Sequence, residues 1–198
     1  MSTVKSKKLQ VGTDATSSNN FTIYQPATPD GTLRIGVGNA DSPTEVGRFN
    51  SNGYVATNTP AFGAYQSSSQ GIANLTEVKI TFNVEEFDLT GDYDNTTNYR
   101  FTPSVEGYYQ LNARVSCDST NDIMIIKLNK NGTEFKRGVT TRDADTAGER
   151  GVTVSSLVYA NGTTDYFEIY VVHNGGATKN TAASQWQTWF NGYLARAI

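Results

Sequence analysis

The sequence predicts an all-β protein built as an antiparallel sandwich or jelly roll, and three observations predict it. Apolar residues recur with period two and nowhere with the 3.6-residue period of a helix. Glycine, asparagine and aspartate turn signals interrupt the chain at short intervals. The apolar runs are brief, and none approaches the roughly 18 residues needed to cross a membrane as a helix.

In the first sixty residues, 12–20 are polar and loop-like, and Phe21-Thr22-Ile23-Tyr24 reads as a short strand. Thr32–Gly38 alternates, with Leu33, Ile35 and Val37 on one face, and Arg48–Val55 reads as two strands joined by a turn. Their apolar content is too thin for an independent core, so these strands are expected to pair with copies of themselves or to lie on a scaffold. The domain boundary is placed at Pro60, giving an N-terminal attachment or shaft region (1–59) and a C-terminal domain (60–198).

The clearest strand is Gly107–Ser116. Tyr109, Leu111, Ala113 and Val115 face one way, and Gln110, Asn112, Arg114 and Ser116 face the other, as in a half-buried antiparallel strand. Met124, Ile126 and Leu128 line one face of the next strand, but Ile123 and Ile125 make its other face apolar too, which suggests a sandwich centre or a subunit interface. Phe167, Ile169 and Val171 share a face set against Tyr166, Glu168 and Tyr170. Asn131-Gly132 and Asn161-Gly162 supply the positive-φ residues of tight hairpins. Asn174-Gly175-Gly176 opens a longer polar loop.

Composition narrows the function. Lys and Arg number 16 against 19 Asp and Glu, a net charge of −3 that provides no basic face for nucleic acid. One cysteine excludes an intrachain disulfide and a thiolate metal cluster, and one histidine leaves little for imidazole-based metal chemistry. No enzyme is expected. The basic start (Lys5, Lys7, Lys8) is followed by no apolar core of the signal-peptide kind, so synthesis and assembly in a cytoplasm are expected, without membrane insertion. Asn74-Leu75-Thr76 and Asn161-Gly162-Thr163 then read as turns rather than glycosylation acceptors.

From Pro60 onward an ordered set of motifs extends to Ile198: Pro60-Ala61-Phe62-Gly63-Ala64-Tyr65; Lys79-Ile80-Thr81-Phe82-Asn83; Tyr93 to Tyr109 with Phe101-Thr102-Pro103 and Gly107-Tyr108-Tyr109; Leu128-Asn129-Lys130-Asn131-Gly132; and Phe190-Asn191-Gly192-Tyr193-Leu194. In that order they resemble the globular head of complement component 1q, a member of the tumour-necrosis-factor-like jelly rolls. The resemblance implies a homotrimer with both termini at its base. It assigns Phe62, Tyr65, Phe82, Phe101, Gly107, Tyr109, Phe190, Gly192, Tyr193 and Leu194 to the family's core and trimer motif. Leu111 and Ala113 stand where the family prefers aromatics, so a differently packed trimer core is expected, and Asn98 takes the place of a turn glycine as a residue tolerant of positive φ. No Gly-X-Y repeat precedes the head, so the collagen stalk of the animal proteins is absent. Leu33–Phe62 resembles, more loosely, the short β-rich modules of bacteriophage tail fibres.

Candidate sites are few. His173 lacks a nucleophile and orienting acid in sequence and reads as a loop residue; Cys117 has no evident activator. Glu85, Glu86 and Asp88 read as a solvated edge rather than a glycosidase pair. Asp92-Tyr93-Asp94 does not follow a calcium-loop pattern, and Asp94 is expected to cap its own turn. No cofactor is expected; calcium on a threefold axis is left open only by the resemblance. The polar loops 140–150 and 173–186, with Arg142, Asp143, Asp145, His173, Asn174 and Trp186, suit contact with a host-surface protein or glycan. The expectation is a bacteriophage virion protein: a short trimeric tail fibre with a receptor-binding head, joined to other virion proteins through its N-terminal region, or alternatively a trimeric capsid cement, decoration or head-fibre protein.

Overall fold

The computed structural model describes residues 7–56, 59–117, 123–141 and 150–198, and divides into two compact units, Met1–Thr59 and Pro60–Ile198. The first unit is a five-stranded antiparallel meander, with strands paired in chain order: β1 (Lys8–Val11), β2 (Phe21–Tyr24), β3 (Leu33–Val37), β4 (Thr44–Asn50) and β5 (Gly53–Ala56). Its turns are tied by polar side chains. Asn20 accepts the Asp14 N–H at 2.9 Å and donates to the Asp14 carbonyl and to Asn39 Oδ1, both at 2.8 Å, pinning the β1–β2 loop to the end of β3. One sheet face carries Arg34, Glu45 and Arg48, with Glu45 bridged to Arg34 at 3.0 Å and to Arg48 at 2.6 Å. The other face is apolar, with Leu33, Ile35 and Val37 together as the alternation predicts.

The second unit is a sandwich of two antiparallel sheets. Its strands are β6 (Ala61–Tyr65), β7 (Gly71–Ile72), β8 (Val78–Lys79), β9 (Val84–Asp88), β10 (Tyr93–Asp94), β11 (Arg100–Phe101), β12 (Glu106–Cys117), β13 (Met124–Lys130), β14 (Thr133–Thr141), β15 (Arg150–Asn161), β16 (Phe167–His173), β17 (Lys179–Asn180) and β18 (Trp189–Ala197). One sheet runs β15-β12-β18-β6-β9; the other runs β10-β11-β16-β13-β14, with β8 also on β16, and β7 and β17 form a small ribbon. From β12 to β18 the chain passes between sheets, so most hydrogen-bonded neighbours are distant in sequence, as a jelly roll requires.

The core is filled by the inward set of each strand. Tyr109, Leu111, Ala113 and Val115 of β12 meet Met124, Ile126 and Leu128 of β13 and Phe167, Ile169 and Val171 of β16, all buried as their alternation predicts. At one end aromatic rings gather around Phe62: Phe101 stacks on it at 4.3 Å between centroids, Tyr93 at 5.0 Å, and Phe190 meets it edge-on at 4.9 Å. These rings come from β6, β10, β11 and β18, so a single contact cluster joins both sheets. Leu111 and Ala113 lie inside the sandwich and not toward a neighbouring copy, because they share the parity of Tyr109. The expectation that they shape a trimer core is corrected accordingly.

The turns follow the side-chain chemistry with two corrections. Asn131 (φ 53°) and Gly132 (φ 78°) both sit in the left-handed region and close a two-residue hairpin between β13 and β14. Asn161-Gly162 is not a hairpin, because β15 and β16 belong to different sheets; Asn161 Oδ1 instead accepts the N–H groups of Thr163, Thr164 and Asp165 along the crossover. In the β10–β11 turn, Asp94 Oδ1 accepts from Thr96 and Thr97 N–H at 3.0 and 2.9 Å, and Oδ2 accepts from Asn98 N–H and Nδ2. The positive φ expected at Asn98 falls on Tyr99 (φ 48°), the residue two before Phe101.

The backbone N–H groups of Thr97 and Thr96 hold the Asp94 carboxyl below the usual carboxylate range. Its folded pKa is therefore depressed, and its contribution is present above about pH 4 and lost as the pH falls through the folded value. Asp94→Ala is expected to lower stability at pH 7 by about 1–2 kcal/mol, with the gap to wild type only partly narrowed at pH 3, which still lies above the folded value. Urea unfolding at pH 7 and pH 3 checks it. Phe62→Ala, which removes the hub of the ring cluster, is expected to cost about 3–5 kcal/mol by the same measurement.

Candidate functional site

The jelly roll has two distinct ends. At the base, the Pro60 carbonyl accepts the Leu194 N–H at 2.9 Å, and the Ile198 N–H donates to the Glu106 carbonyl at 3.2 Å. The start and the last residue of this unit thus lie together beside the beginning of β12. The far end of β12, the start of β13, the end of β16 and the turn before β18 make the opposite end, the apex.

His173 stands at the apex but faces inward. It is 3% exposed. Its Nε2 lies 2.7 Å from the Ile72 carbonyl and its Nδ1 accepts the Gly175 N–H at 3.0 Å, which fits a neutral ring with the proton on Nε2. The expectation of a loop histidine open to a partner is corrected: it continues the buried Phe167-Ile169-Val171 face by one step and ties β16 to β7. Asn174 is exposed, and its Oδ1 accepts the Ile123 N–H at 2.8 Å, closing the apex between β13 and β16. Trp186 is 68% exposed, on a turn whose Gln187 and Thr188 are buried. Arg142, Asp143 and Asp145 lie outside the described residues.

Next to Asn174 the apex carries an apolar hollow of about 210 Å³ lined by Leu75, Ile123, Ile125 and Val172. Leu75 is 72% exposed at φ 55°, an uncommon conformation for a bulky residue, and its N–H is held by the His173 carbonyl at 2.8 Å. The alternation of Ile123 and Ile125 signals this second apolar face in the sequence; nothing there signals the exposure of Leu75.

The outward face of the β15-β12-β18-β6-β9 sheet is the second candidate surface. Toward the base it carries Tyr108, Leu157, Tyr159 and Tyr193, with Leu157 56% and Tyr193 52% exposed. The Tyr108 and Tyr159 rings meet edge-on at 5.8 Å. The Tyr159 hydroxyl donates to Glu106 at 2.6 Å, a bond that raises its pKa. Above them lies a polar row in which Gln110 Nε2 donates to Ser155 Oγ at 2.9 Å and Asn112 Nδ2 to Asn191 Oδ1 at 3.2 Å.

The motif residues divide between these surfaces and the interior. Phe62, Phe82, Phe101, Tyr109 and Phe190 are fully buried within one copy, Tyr65 is half-buried, and Leu194 packs against the core. Tyr193 alone among them projects outward with a largely exposed side chain. Gly107 and Gly192 are set by close approach: a Cβ at Gly107 would lie 2.3 Å from the Arg196 carbonyl oxygen, and one at Gly192 2.4 Å from Leu111 Cδ2.

Two of the carboxylates bond within their own loops. Asp92 Oδ2 accepts from the Thr90 hydroxyl and from the Ser104 N–H and hydroxyl, while Asp94 caps its turn. Glu85 and Glu86 sit exposed on β9; burial and the charges of Asp88 and Asp94 push Glu85 upward. Among the described residues no group of three or more His, Cys, Asp or Glu side chains is placed to hold a metal ion. No helix there is long and apolar enough to cross a membrane.

The architecture recurs in solved proteins. The globular domain of zebrafish complement 1qA superposes with a TM-score of 0.54 at 17% identity, covering 71% of this chain and 99% of that one. The complement-q/TNF-like jelly roll is the fold of this unit. Eiger TNF of S. frugiperda gives 0.54 at 6% identity, over 71% of this chain and 94% of its own. The PRD1 vertex protein P5 gives 0.54 at 15% identity, over 72% and 76%. No protein-family model matches the chain, and no curated protein matches it.

Burial separates two of the apex side chains, His173 inside and Trp186 in water. His173→Ala is expected to destabilise by about 1–3 kcal/mol, because it strands the Ile72 carbonyl and the Gly175 N–H. Trp186→Ala is expected to change stability by less than about 0.5 kcal/mol. Thermal unfolding of both variants checks the contrast.

Proposed function

We propose that this chain is a homotrimeric structural protein of a bacteriophage particle, a short tail fibre whose jelly-roll apex contacts a host-surface protein or glycan. The observation that carries the reading is the apolar patch toward the base of the outward face of the β15-β12-β18-β6-β9 sheet, where Tyr108, Leu157, Tyr159 and Tyr193 are left in water by a single copy. Large exposed apolar patches mark association surfaces, and aromatic residues are enriched in them. Packing three such faces about one axis buries them and sets three bases side by side, with the apices at the far end. Trp186 and Leu75 then stand where a receptor would meet them, and three identical weak sites act together through avidity. The N-terminal region, joined to the base, is the part that attaches to other virion proteins. The protein acts by assembly and contact and not as an enzyme.

The likeness to the PRD1 vertex protein supports the virion setting and favours a second reading in which the trimer decorates or cements a capsid, since that neighbour is by name a vertex component. The two are separated by adding purified protein to host cells and to tailless particles. Competition with phage adsorption supports the fibre; binding to tailless particles alone supports the capsid role.

Leu157→Asp places a carboxylate on the proposed contact face, replacing an apolar side chain whose burial is worth about 3 kcal/mol. It is expected to weaken self-association by at least about a hundredfold. The monomer unfolding midpoint should stay unchanged, since Leu157 makes no part of the single-copy core. Light scattering over a dilution series checks it.

A further inference from the structure

The N-terminal sheet has no dry side. Among the described residues of this unit the buried ones are Asn20, Thr22, Gly36, Gly38 and Gly47, and no large apolar side chain is buried. Its apolar side chains instead line up in cross-strand rows on one face: Leu9, Ile23 and Ile35 across β1, β2 and β3, and Leu33, Phe49 and Tyr54 across β3, β4 and β5. Leu9 is 59% exposed and Tyr54 57%. The opposite face carries the Arg34, Glu45 and Arg48 ion pairs and is suited to water. A single-layer sheet with one apolar face gains almost nothing from folding alone, because that face must be buried against another layer.

We infer that the missing layer is the same face of the other copies: three N-terminal sheets turn their Ile35 faces toward a shared axis and form a common β-prism core. The inference rests on the trimer proposed above and adds a second, separate assembly surface to it. Three features choose this occupant. The two rows contain no charged side chain, so the face complements another like itself. Five strands spaced about 4.8 Å apart, with roughly four residues each at about 3.4 Å, make a face of roughly 300 Å². Three of them remove roughly 1,000 Å² from water, close to the lower bound for a specific interface, and the heads add their own. Finally, each face is covalently joined to a head, so trimeric heads hold the three faces at an effective concentration in the millimolar range.

The test places a single new thiol on either face of the full-length chain. Ile35→Cys, and Ile23→Cys as a second position, are treated with a short bismaleimide; Arg48→Cys on the ion-pair face is the comparison, and Cys117 is buried in the head. Sedimentation of the same samples gives their assembly state. The expected result is a trimer in every case, with covalent dimers from Ile35→Cys and Ile23→Cys at least tenfold more abundant than from Arg48→Cys. Trimers in which neither apolar-face thiol cross-links, or in which Arg48→Cys cross-links equally, overturn the prism while leaving the head trimer standing. Samples that sediment as single copies overturn the trimer itself, and the prism with it.

Discussion

The β15-β12-β18-β6-β9 sheet has apolar side chains on both faces, and one copy of the chain can dry only one of them. The inward face closes a complete core, from the rings around Phe62 to Val115 and Val171. The outward face leaves Tyr108, Leu157, Tyr159 and Tyr193 in water. Burial of apolar surface is the main favourable contribution to both folding and association, so the surplus on this sheet is what supports the proposed assembly. The polar row of Gln110, Asn112, Ser155 and Asn191 limits that face, because its amides already bond to one another and present few groups that need a partner.

The N-terminal unit repeats the problem in a sharper form. Among its described residues the sheet has no second layer, and what is buried in it is glycine, threonine and asparagine. The head has a core of its own within one copy; under the inference above, the N-terminal sheet gains one only by associating. In the proposed trimer, ordering of the N-terminal sheet is coupled to assembly of the heads.

Much of this was legible in the amino-acid order, because a strand buried on one face writes its own period. The alternation of Tyr109, Leu111, Ala113 and Val115 identifies β12 and its inward face, and Asn131-Gly132 identifies the β13–β14 hairpin. The same signal, carried one step past Phe167, Ile169 and Val171, points to His173 as buried, while the Asn174-Gly175 that follows it is a loop signal. Alternation says which residues share a face and not whether one copy closes that face, so it does not divide the motif residues between core and outer face. Asn161-Gly162 has the same dipeptide as Asn131-Gly132 and a different geometry, since topology and not turn chemistry decides whether the flanking strands pair. The strained Leu75 at the apex follows from the fold of the β7–β8 loop and leaves no local mark in the sequence.

The account turns on whether the exposed sheet face is covered by other copies, and sedimentation equilibrium of the 198-residue chain at low micromolar concentration tests that most directly. It predicts a particle of three times the 21.5 kDa chain mass, stable to dilution. A folded species of one chain mass under those conditions would contradict it.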